Sequence, residues 1–334
     1  MAPLSPKNVW DLNEKGLKEL LNSGVLVQKQ REIRFYAPSF TYYKTRYFCS
    51  STSFFPTISV TGTGCSQNCK HCGGKVLGTM HPALNPQQLF DLCVKLKADG
   101  AGGCLISGGC MPDGSVPLKP FAEVIGRVKR ELGLTVFVHT GMVDEETAAL
   151  LKSAGVDAVL IDVVGSDETI RKVFNLNIAV RDYTYSLKAL QAAGLNVIPH
   201  VIVGLNNGEL GGEFEALKMI LPTEVLAIVI IAFMPIHGTE MEKANPPKPL
   251  DIAKVAATAR VMFPNTPLVL GCMRPKGKLR SETDVYALKA GVDAVAFPSE
   301  KAINYAQEQG YSVSFSSYCC AQIYMDFKAR IPSK

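Results

Sequence analysis

Short apolar runs alternate with amphipathic segments along most of this chain. Eight runs rich in Val and Ile are predicted as strands: 57–62, 103–108, 135–140, 158–164, 197–204, 225–233, 267–271 and 294–297. They are apolar on both faces, as strands buried in a parallel sheet must be. The segments between them have helical periodicity, and most end at a Gly just before the next strand. Eight such repeats predict an α/β fold, a TIM-like (β/α)8 barrel that is complete or partly open. A doubly wound open sheet is the alternative.

The two ends of the chain depart from this pattern. Residues 56–310 are predicted as the barrel, and residues 1–55 as an N-terminal helix and extended arm. Within that arm, Asn13–Asn22 has helical character, and 31–50 is rich in aromatic residues, which favours a short hairpin or an extended segment. Residues 311–334 are predicted as a C-terminal extension that packs on the barrel.

Composition excludes several functional classes. The chain has 334 residues, is 47% hydrophobic and carries a net charge of +5, too small and too scattered to predict a nucleic-acid partner. The longest apolar run, Val225–Met234, has the length of a strand, so no membrane segment is predicted. The first 21 residues include acidic side chains and lack an apolar signal core, which predicts a cytoplasmic protein with reduced thiols.

Three cysteines follow the first predicted strand directly. Cys65, Cys69 and Cys72 have the spacing Cys-x3-Cys-x2-Cys, in a loop expected on the C-terminal face of the barrel, where barrel enzymes do their chemistry. Three thiolates can hold three irons of a [4Fe–4S] cluster and leave the fourth iron free for a small molecule. Structural zinc or an electron-transfer cluster are the alternatives, and both usually need a fourth protein ligand.

This motif resembles that of the radical S-adenosylmethionine (radical SAM) superfamily. The resemblance implies that Cys65, Cys69 and Cys72 hold the catalytic cluster, whose open iron binds the methionine amino and carboxylate groups of S-adenosyl-L-methionine. One electron, from a donor of the ferredoxin or flavodoxin type, then cleaves the S–C5′ bond, and the 5′-deoxyadenosyl radical abstracts a hydrogen atom. His71 departs from the family pattern, which usually has an aromatic residue before the third Cys.

The same resemblance implies a binding site for adenosylmethionine. The implied contacts are Ser107, Gly108, Gly109, Asp162, Arg181, Gly204 and Leu205. The Ser-Gly-Gly segment resembles the family's Gly-Gly-Glu segment, and residues 200–209 resemble the strand-5 motif of biotin synthases. Asp162 is expected near the ribose and Arg181 near the methionine carboxylate. A plain turn at the glycines, and an ion pair or helix cap at Asp162 and Arg181, are the alternatives.

The other cysteines divide into two groups. Cys93 and Cys104 lie among apolar neighbours and are predicted as buried hydrophobic residues. The second group could hold an auxiliary iron–sulfur cluster: Cys272, Cys319 and Cys320, with either Cys49 or Cys110. In the superfamily such a cluster donates sulfur, binds substrate or passes electrons. The alternative is that the second cluster is absent.

Two further segments resemble sulfur-inserting members of the superfamily. In biotin synthases the ends of barrel strands hold the sacrificial cluster, and comparable positions here are Cys110, Cys272 and Arg274, with His139 and His200 on strands 3 and 5. The tail, residues 315–319, resembles a lipoyl synthase tail, with Phe in place of its Arg.

The chain most resembles the archaeal-type, two-protein lipoyl synthases. That resemblance implies sulfur insertion into an octanoyl chain on a lipoyl carrier protein, with a second radical SAM protein as partner. A radical SAM mutase, lyase or maturase without sulfur insertion, and a non-catalytic iron–sulfur protein, are the alternatives.

Overall fold

One parallel sheet of eleven strands organises the described part of the chain. A computed structural model describes residues 4–27 and 32–328. The strands are β1 (Glu32–Tyr36), β2 (Thr57–Ser59), β3 (His81–Pro82), β4 (Gly103–Ser107), β5 (Thr135–His139), β6 (Ala158–Asp162), β7 (Val197–Val203), β8 (Ile228–Ala232), β9 (Leu268–Leu270), β10 (Ala294–Ala296) and β11 (Ser312–Ser316). Their order across the sheet is β11-β1-β10-β9-β8-β7-β6-β5-β4-β2-β3.

Helices connect the strands. They are α1 (Pro6–Trp10), α2 (Glu14–Asn22), α3 (Pro86–Ala98), α4 (Ala122–Arg127), α5 (Glu145–Ala154), α6 (Asp167–Thr169), α7 (Val180–Ala192), α8 (Glu213–Ile220), α9 (Pro249–Met262), α10 (Lys278–Lys289), α11 (Glu300–Glu308) and α12 (Ile323–Lys328). Side-chain caps start several of them: Asn85 Oδ1 accepts from the Gln88 N–H at α3, and Asp144 Oδ1 from the Thr147 N–H at α5. No helix in the described ranges is long and apolar enough to cross a membrane.

The eight predicted strands are confirmed as β2 and β4 to β10, and the sheet is an open barrel. From β4 to β10 the strands are neighbours in chain order, so the sheet is not doubly wound. β2 pairs with β3 and β4, and β10 with β1 and β9, so the first and last barrel strands do not meet within the described residues. The barrel is therefore partly open, one of the two forms predicted.

The segment predicted as a hairpin or extended arm contributes a strand to the main sheet. β1 lies between β10 and β11 and is parallel to both, with Phe35 opposite Val295 on one side and Phe315 on the other. Residues 41–50 include a short antiparallel turn, in which Lys44 pairs with Cys49 and the Thr45 N–H donates to the Phe48 carbonyl. The partners of β1 itself are distant in sequence. The domain boundaries stay predictions, and residues 1–3, 28–31 and 329–334 lie outside the described residues.

The two faces of the sheet carry separate cores. Helices cover the outer face, whereas aromatic residues fill one end of the concave face: the rings of Phe55 and Phe137 lie 5.4 Å apart, and Tyr318 packs on Phe55 at 5.6 Å. The C-terminal segment completes this filling, and the Tyr324 hydroxyl donates to the Asp157 carbonyl just before β6. These aromatic residues and the C-terminal segment occupy the amino ends of the strands and leave the carboxyl ends free to line a cavity.

Candidate active site

A cavity of about 400 Å³ opens at the carboxyl ends of the strands. Its wall combines the cysteine loop after β2, the ends of β4, β5 and β6, and the chain after β9 and β11. Most of the residues proposed from sequence line it: Cys65, Cys69, Cys72, Ser107, Gly108, Gly109, Cys110, Asp162, Leu205, Cys272, Cys319 and Cys320. Residues distant in sequence thus meet around one space.

Backbone hydrogen bonds from two distant segments hold the cysteine loop. The Lys70 N–H donates to the Val173 carbonyl at 2.8 Å, and the Lys70 carbonyl accepts from the Met241 N–H at 3.2 Å. The side-chain amide of Asn175 donates to the Asn68 carbonyl at 3.0 Å. The loop is therefore clamped between the chain after α6 and the chain after β8, which limits its freedom to rearrange.

The thiols of the loop suit metal binding. Sulfur atoms of Cys69 and Cys72 and a ring nitrogen of His71 lie within 4.8 Å of one another. The neighbouring Cys69 thiol lowers the pKa of Cys72, and Cys72 in turn raises the pKa of Cys69. Clustered cysteine sulfurs are a donor set that iron accepts, so these residues fit the implied cluster.

His71 occupies the position where the family usually has an aromatic residue. Its ring packs against Phe174, with 5.0 Å between centroids, as an aromatic ring would. Its Nδ1 is buried and has no hydrogen-bond partner among residues 4–27 and 32–328. The substitution thus keeps the ring packing and adds a polar nitrogen at the cavity wall.

The turn after β4 fits tightly against the cysteine loop. The Gly109 N–H donates to Thr61 Oγ1 at 2.7 Å. A Cβ at Gly109 would overlap the Gly64 carbonyl oxygen and lie 2.7 Å from both Cα and Cβ of Cys65. Gly is required here because the backbone of the loop leaves no space for a side chain.

Three polar side chains on neighbouring strands face the cavity. His139 ends β5, Asp162 ends β6, and His200 lies within β7. Asp162 Oδ1 lies 3.4 Å from His139 Nε2. Burial opposes the charge on both groups, but their mutual attraction outweighs it, lowering the pKa of Asp162 and raising that of His139. Burial, together with the nearby His139, lowers the pKa of His200 to about 4.

Two proposed adenosylmethionine contacts lie apart from the cavity lining. Arg181 is exposed at the start of α7, and it is not among the described residues that line the cavity. Gly204 has φ of +80° and packs against Pro247, while its N–H donates to Glu213 Oε1 at 2.8 Å. Gly204 therefore shapes the turn that carries Leu205 into the cavity wall.

The second group of cysteines divides in the structure. Cys110, Cys272, Cys319 and Cys320 line the cavity, whereas Cys49 is exposed outside it. Burial and the neighbouring Cys319 raise the pKa of Cys272 to about 11. A hydrogen bond from Cys320 lowers the pKa of Cys319.

Cys93 and Cys104 are confirmed as buried residues, and neither lines the cavity among the described residues.

Buried hydrogen bonds hold the side chain of Arg274. Its side chain is fully buried; Nε donates to Asp284 Oδ1 at 2.8 Å, and a terminal nitrogen donates to the Phe297 carbonyl at 3.2 Å. These contacts direct the guanidinium away from the cavity lining, so the comparison with the Arg of biotin synthases does not hold in this structure. The ion pair instead anchors the turn that carries Cys272.

Several cavity residues carry no signal in the sequence. Gln67, Phe174 and Tyr183 line the cavity, and Cys69 Sγ lies 3.4 Å from the Phe174 carbonyl oxygen. Burial and the nearby Asp162 raise the pKa of Tyr183 well above its ordinary value. Their neighbours come from distant segments, so no local pattern could identify them.

Comparison with known proteins agrees with this geometry. Residues 59–215 match the model of the Radical SAM superfamily. This chain carries a radical SAM domain. Its curated relatives include the biotin synthase of Prochlorococcus marinus strain MIT 9515, 26% identical over 253 residues that cover 73% of each chain. The biotin synthase of strain AS9601 is 25% identical over 299 residues, covering 87% of this chain and 85% of that protein.

Solved structures share the fold at lower identity. Methylornithine synthase has a TM-score of 0.62 and 16% identity, with 97% of this chain and 95% of that chain covered. A maturase of the [FeFe]-hydrogenase, HydG, has a TM-score of 0.64 and 16% identity, with 97% and 75% covered. These likenesses concern the fold alone.

Proposed function

We propose that this radical SAM enzyme inserts sulfur into an unactivated C–H bond, and that its substrate is the octanoyl chain of a lipoyl carrier protein. The observation that carries the proposal is a second set of thiols, Cys110, Cys272, Cys319 and Cys320, in the cavity that also contains the cysteine loop. The biotin synthase relatives support sulfur insertion as the reaction class.

In this proposal the loop cysteines have one task. Cys65, Cys69 and Cys72 hold a [4Fe–4S] cluster, which, with bound adenosylmethionine, supplies the radical that removes a hydrogen atom. The turn Ser107-Gly108-Gly109 and Leu205 surround the adenosylmethionine, with Asp162 at the ribose. Gly204 supports this site through the turn after β7. Arg181 reaches the methionine carboxylate only after its exposed side chain or α7 moves.

The second set of thiols holds the sulfur source. Cys272 and Cys319 are the core of an auxiliary iron–sulfur cluster, with Cys110 or Cys320 completing it; the exposed Cys49 would have to move to take part. Much of the remaining lining is apolar and suits an alkyl chain, for example Leu160, Val229, Ile231, Met234 and Ile236. The 5′-deoxyadenosyl radical would take up the hydrogen atom as 5′-deoxyadenosine, and the carbon radical would bond to a sulfide released by the auxiliary cluster, whose iron would accept the remaining electron.

The proposed reaction needs partners. A ferredoxin or flavodoxin type of protein supplies single electrons, and a lipoyl carrier protein presents the octanoyl-lysine. A second radical SAM protein shares the two insertions. Cytoplasmic location belongs to the same proposal, because the clusters require a reducing environment.

Mass spectrometry of an octanoyl-lysyl peptide tests the proposal. The reconstituted enzyme is incubated anaerobically with reductant and adenosylmethionine, with and without the partner radical protein. A thiol-bearing product is expected, and wild-type protein should hold about eight irons if two four-iron clusters are present. Cys272→Ser with Cys319→Ser should lose the thiol product and about half of the iron, whereas Cys93→Ala should retain both.

Other outcomes identify the alternatives. About four irons in the wild-type protein, with no thiol product, would contradict sulfur insertion. If the double variant still forms 5′-deoxyadenosine and turns over a substrate, a mutase, lyase or maturase activity is favoured. A reduced protein that forms no 5′-deoxyadenosine would be a non-catalytic iron–sulfur protein.

A further inference from the structure

We propose that His139, Asp162 and His200 form a binding site for one divalent metal ion of the zinc or iron class, separate from the cysteine loop. The site lies in the wall of the same cavity, at the ends of β5 and β6 and within the neighbouring strand β7. The proposal goes beyond sulfur insertion, and its test does not depend on that activity.

The distances suit a first-row metal. One ligand atom from each of the three residues lies within 4.8 Å of the other two. His139 Nε2 and Asp162 Oδ1 are 3.4 Å apart. Ligands bound at 2.0–2.1 Å in a tetrahedron are separated by about 3.3–3.4 Å, so this pair already has the required spacing. The ligand atom of His200 lies within 4.8 Å of the other two, so a shift of at most about 1.5 Å brings it to this spacing.

The sheet presents the three side chains together. In the pairing of β6 with β7, Asp162 lies directly opposite His200, and in the pairing of β5 with β6, His139 lies opposite Leu160. Because alternate residues of a strand share a face, Leu160 and Asp162 both point to the concave side. Rigid strands, rather than loops, therefore position all three ligands.

A hydrogen bond orients one of the ligands. His200 Nδ1 lies 3.2 Å from the Ile198 carbonyl oxygen, so a proton on Nδ1 can be donated there. That tautomer leaves a lone pair on Nε2. A carbonyl holding the second nitrogen of a ligating histidine is the usual arrangement in metal sites. The two imidazole rings lie near each other, with centroids 5.5 Å apart.

Asp162 Oδ1 has one close polar neighbour. That neighbour is His139 Nε2 at 3.4 Å, an ion-pair contact that does not reach hydrogen-bond geometry, and Oδ1 accepts no other hydrogen bond from the described residues. A cation between the two side chains would take the place of this long contact.

Two imidazoles and one carboxylate suit Zn²⁺ or Fe²⁺ better than the hard cations Mg²⁺ and Ca²⁺. Three protein ligands also leave a coordination position open toward the cavity, where a substrate group or solvent can bind. Because Asp162 is also the proposed ribose contact, the metal and adenosylmethionine would compete for its carboxylate. Saturating adenosylmethionine should therefore weaken metal binding.

Zinc titration of the cluster-loaded protein tests the site. We expect one Zn²⁺ per chain by calorimetry, and zinc-edge X-ray absorption should show nitrogen and oxygen neighbours at about 2.0–2.1 Å without sulfur at about 2.3 Å. His139→Gln, Asp162→Asn and His200→Gln should each weaken the affinity by about tenfold or more. His237→Gln, at a fully exposed histidine, is the matched control and should leave the affinity unchanged.

The inference is overturned by any of three results. These are no saturable zinc binding to the wild-type protein, sulfur in the zinc coordination sphere, or equal affinity in the three variants and the wild type. Unfolding curves of each variant show whether its fold is intact, and the other two variants still decide the question if one fails to fold. Formation of 5′-deoxyadenosine, measured in parallel, reports on the radical activity independently of the zinc site.

Discussion

Replacing Gly109 with Ala tests how the turn after β4 supports the cysteine loop. The added Cβ would lie 2.7 Å from Cα and from Cβ of Cys65, and closer still to the Gly64 carbonyl oxygen. Carbon atoms in contact are usually about 3.5–4.0 Å apart, so the loop or the turn must move by about 1 Å. Crowding of this kind costs about 1–3 kcal/mol of folding free energy.

The same displacement should disturb cluster binding. Metal–ligand distances tolerate changes of only about 0.2 Å, so a loop moved by about 1 Å should retain less iron. Gly78→Ala is the matched control, because Gly78 lies close to the cysteines along the chain and a Cβ there meets no atom within 4 Å. It should change the free energy of unfolding by less than about 0.5 kcal/mol.

Two measurements check this prediction. Denaturant unfolding of the cluster-free protein gives the change in stability, and iron and sulfide content after anaerobic reconstitution gives cluster retention. The reasoning would be refuted if Gly109→Ala matched Gly78→Ala in both. In that case the turn would not hold the loop in place.

Two further predictions concern charged groups. Arg274→Met should lower the free energy of unfolding by about 3–5 kcal/mol, because it leaves the Asp284 carboxylate buried without its partner. Denaturant titration measures this change. The control is Lys172→Met at an exposed ion pair, which should cost less than about 1 kcal/mol. Asp144→Asn tests a pH dependence. A hydrogen bond from Thr147 contributes most to lowering the pKa of Asp144 to about 2, from an ordinary value of about 4. The folded state thus binds the proton more weakly, so this stabilisation is present above pH 4 and disappears as the pH falls toward 2. Thermal midpoints of the cluster-free wild type should approach those of the variant over that range, and parallel curves would contradict the assignment.

The local sequence pattern was sufficient to predict the barrel strands. Each of the eight is a short apolar segment that contains Val or Ile, and such segments carry their own signal. β1 has a comparable signal, but its position between β10 and β11 depends on partners near the other end of the chain. The sequence therefore predicted a short hairpin or an extended arm here, without identifying the strands that flank β1.

The candidate site was predictable to a similar extent. The spacing of Cys65, Cys69 and Cys72 identified the loop because the chemistry needs those residues close together in sequence. The clamp formed by Val173 and Met241 uses main-chain atoms, which any residue provides, so it leaves no trace in the sequence. The side chain of Arg274 could not be oriented either, because Asp284 became its partner only through the packing of α10.

The position of β1 in the sheet affects how the chain folds during synthesis. β1 is synthesised well before β10 and β11, the two strands that flank it in the sheet. Until they appear, the apolar side chains of β1 and its unpaired backbone groups have no native cover. Closing a sheet between such distant segments is slow. Newly made chains should therefore expose β1 until β10 and β11 have been synthesised.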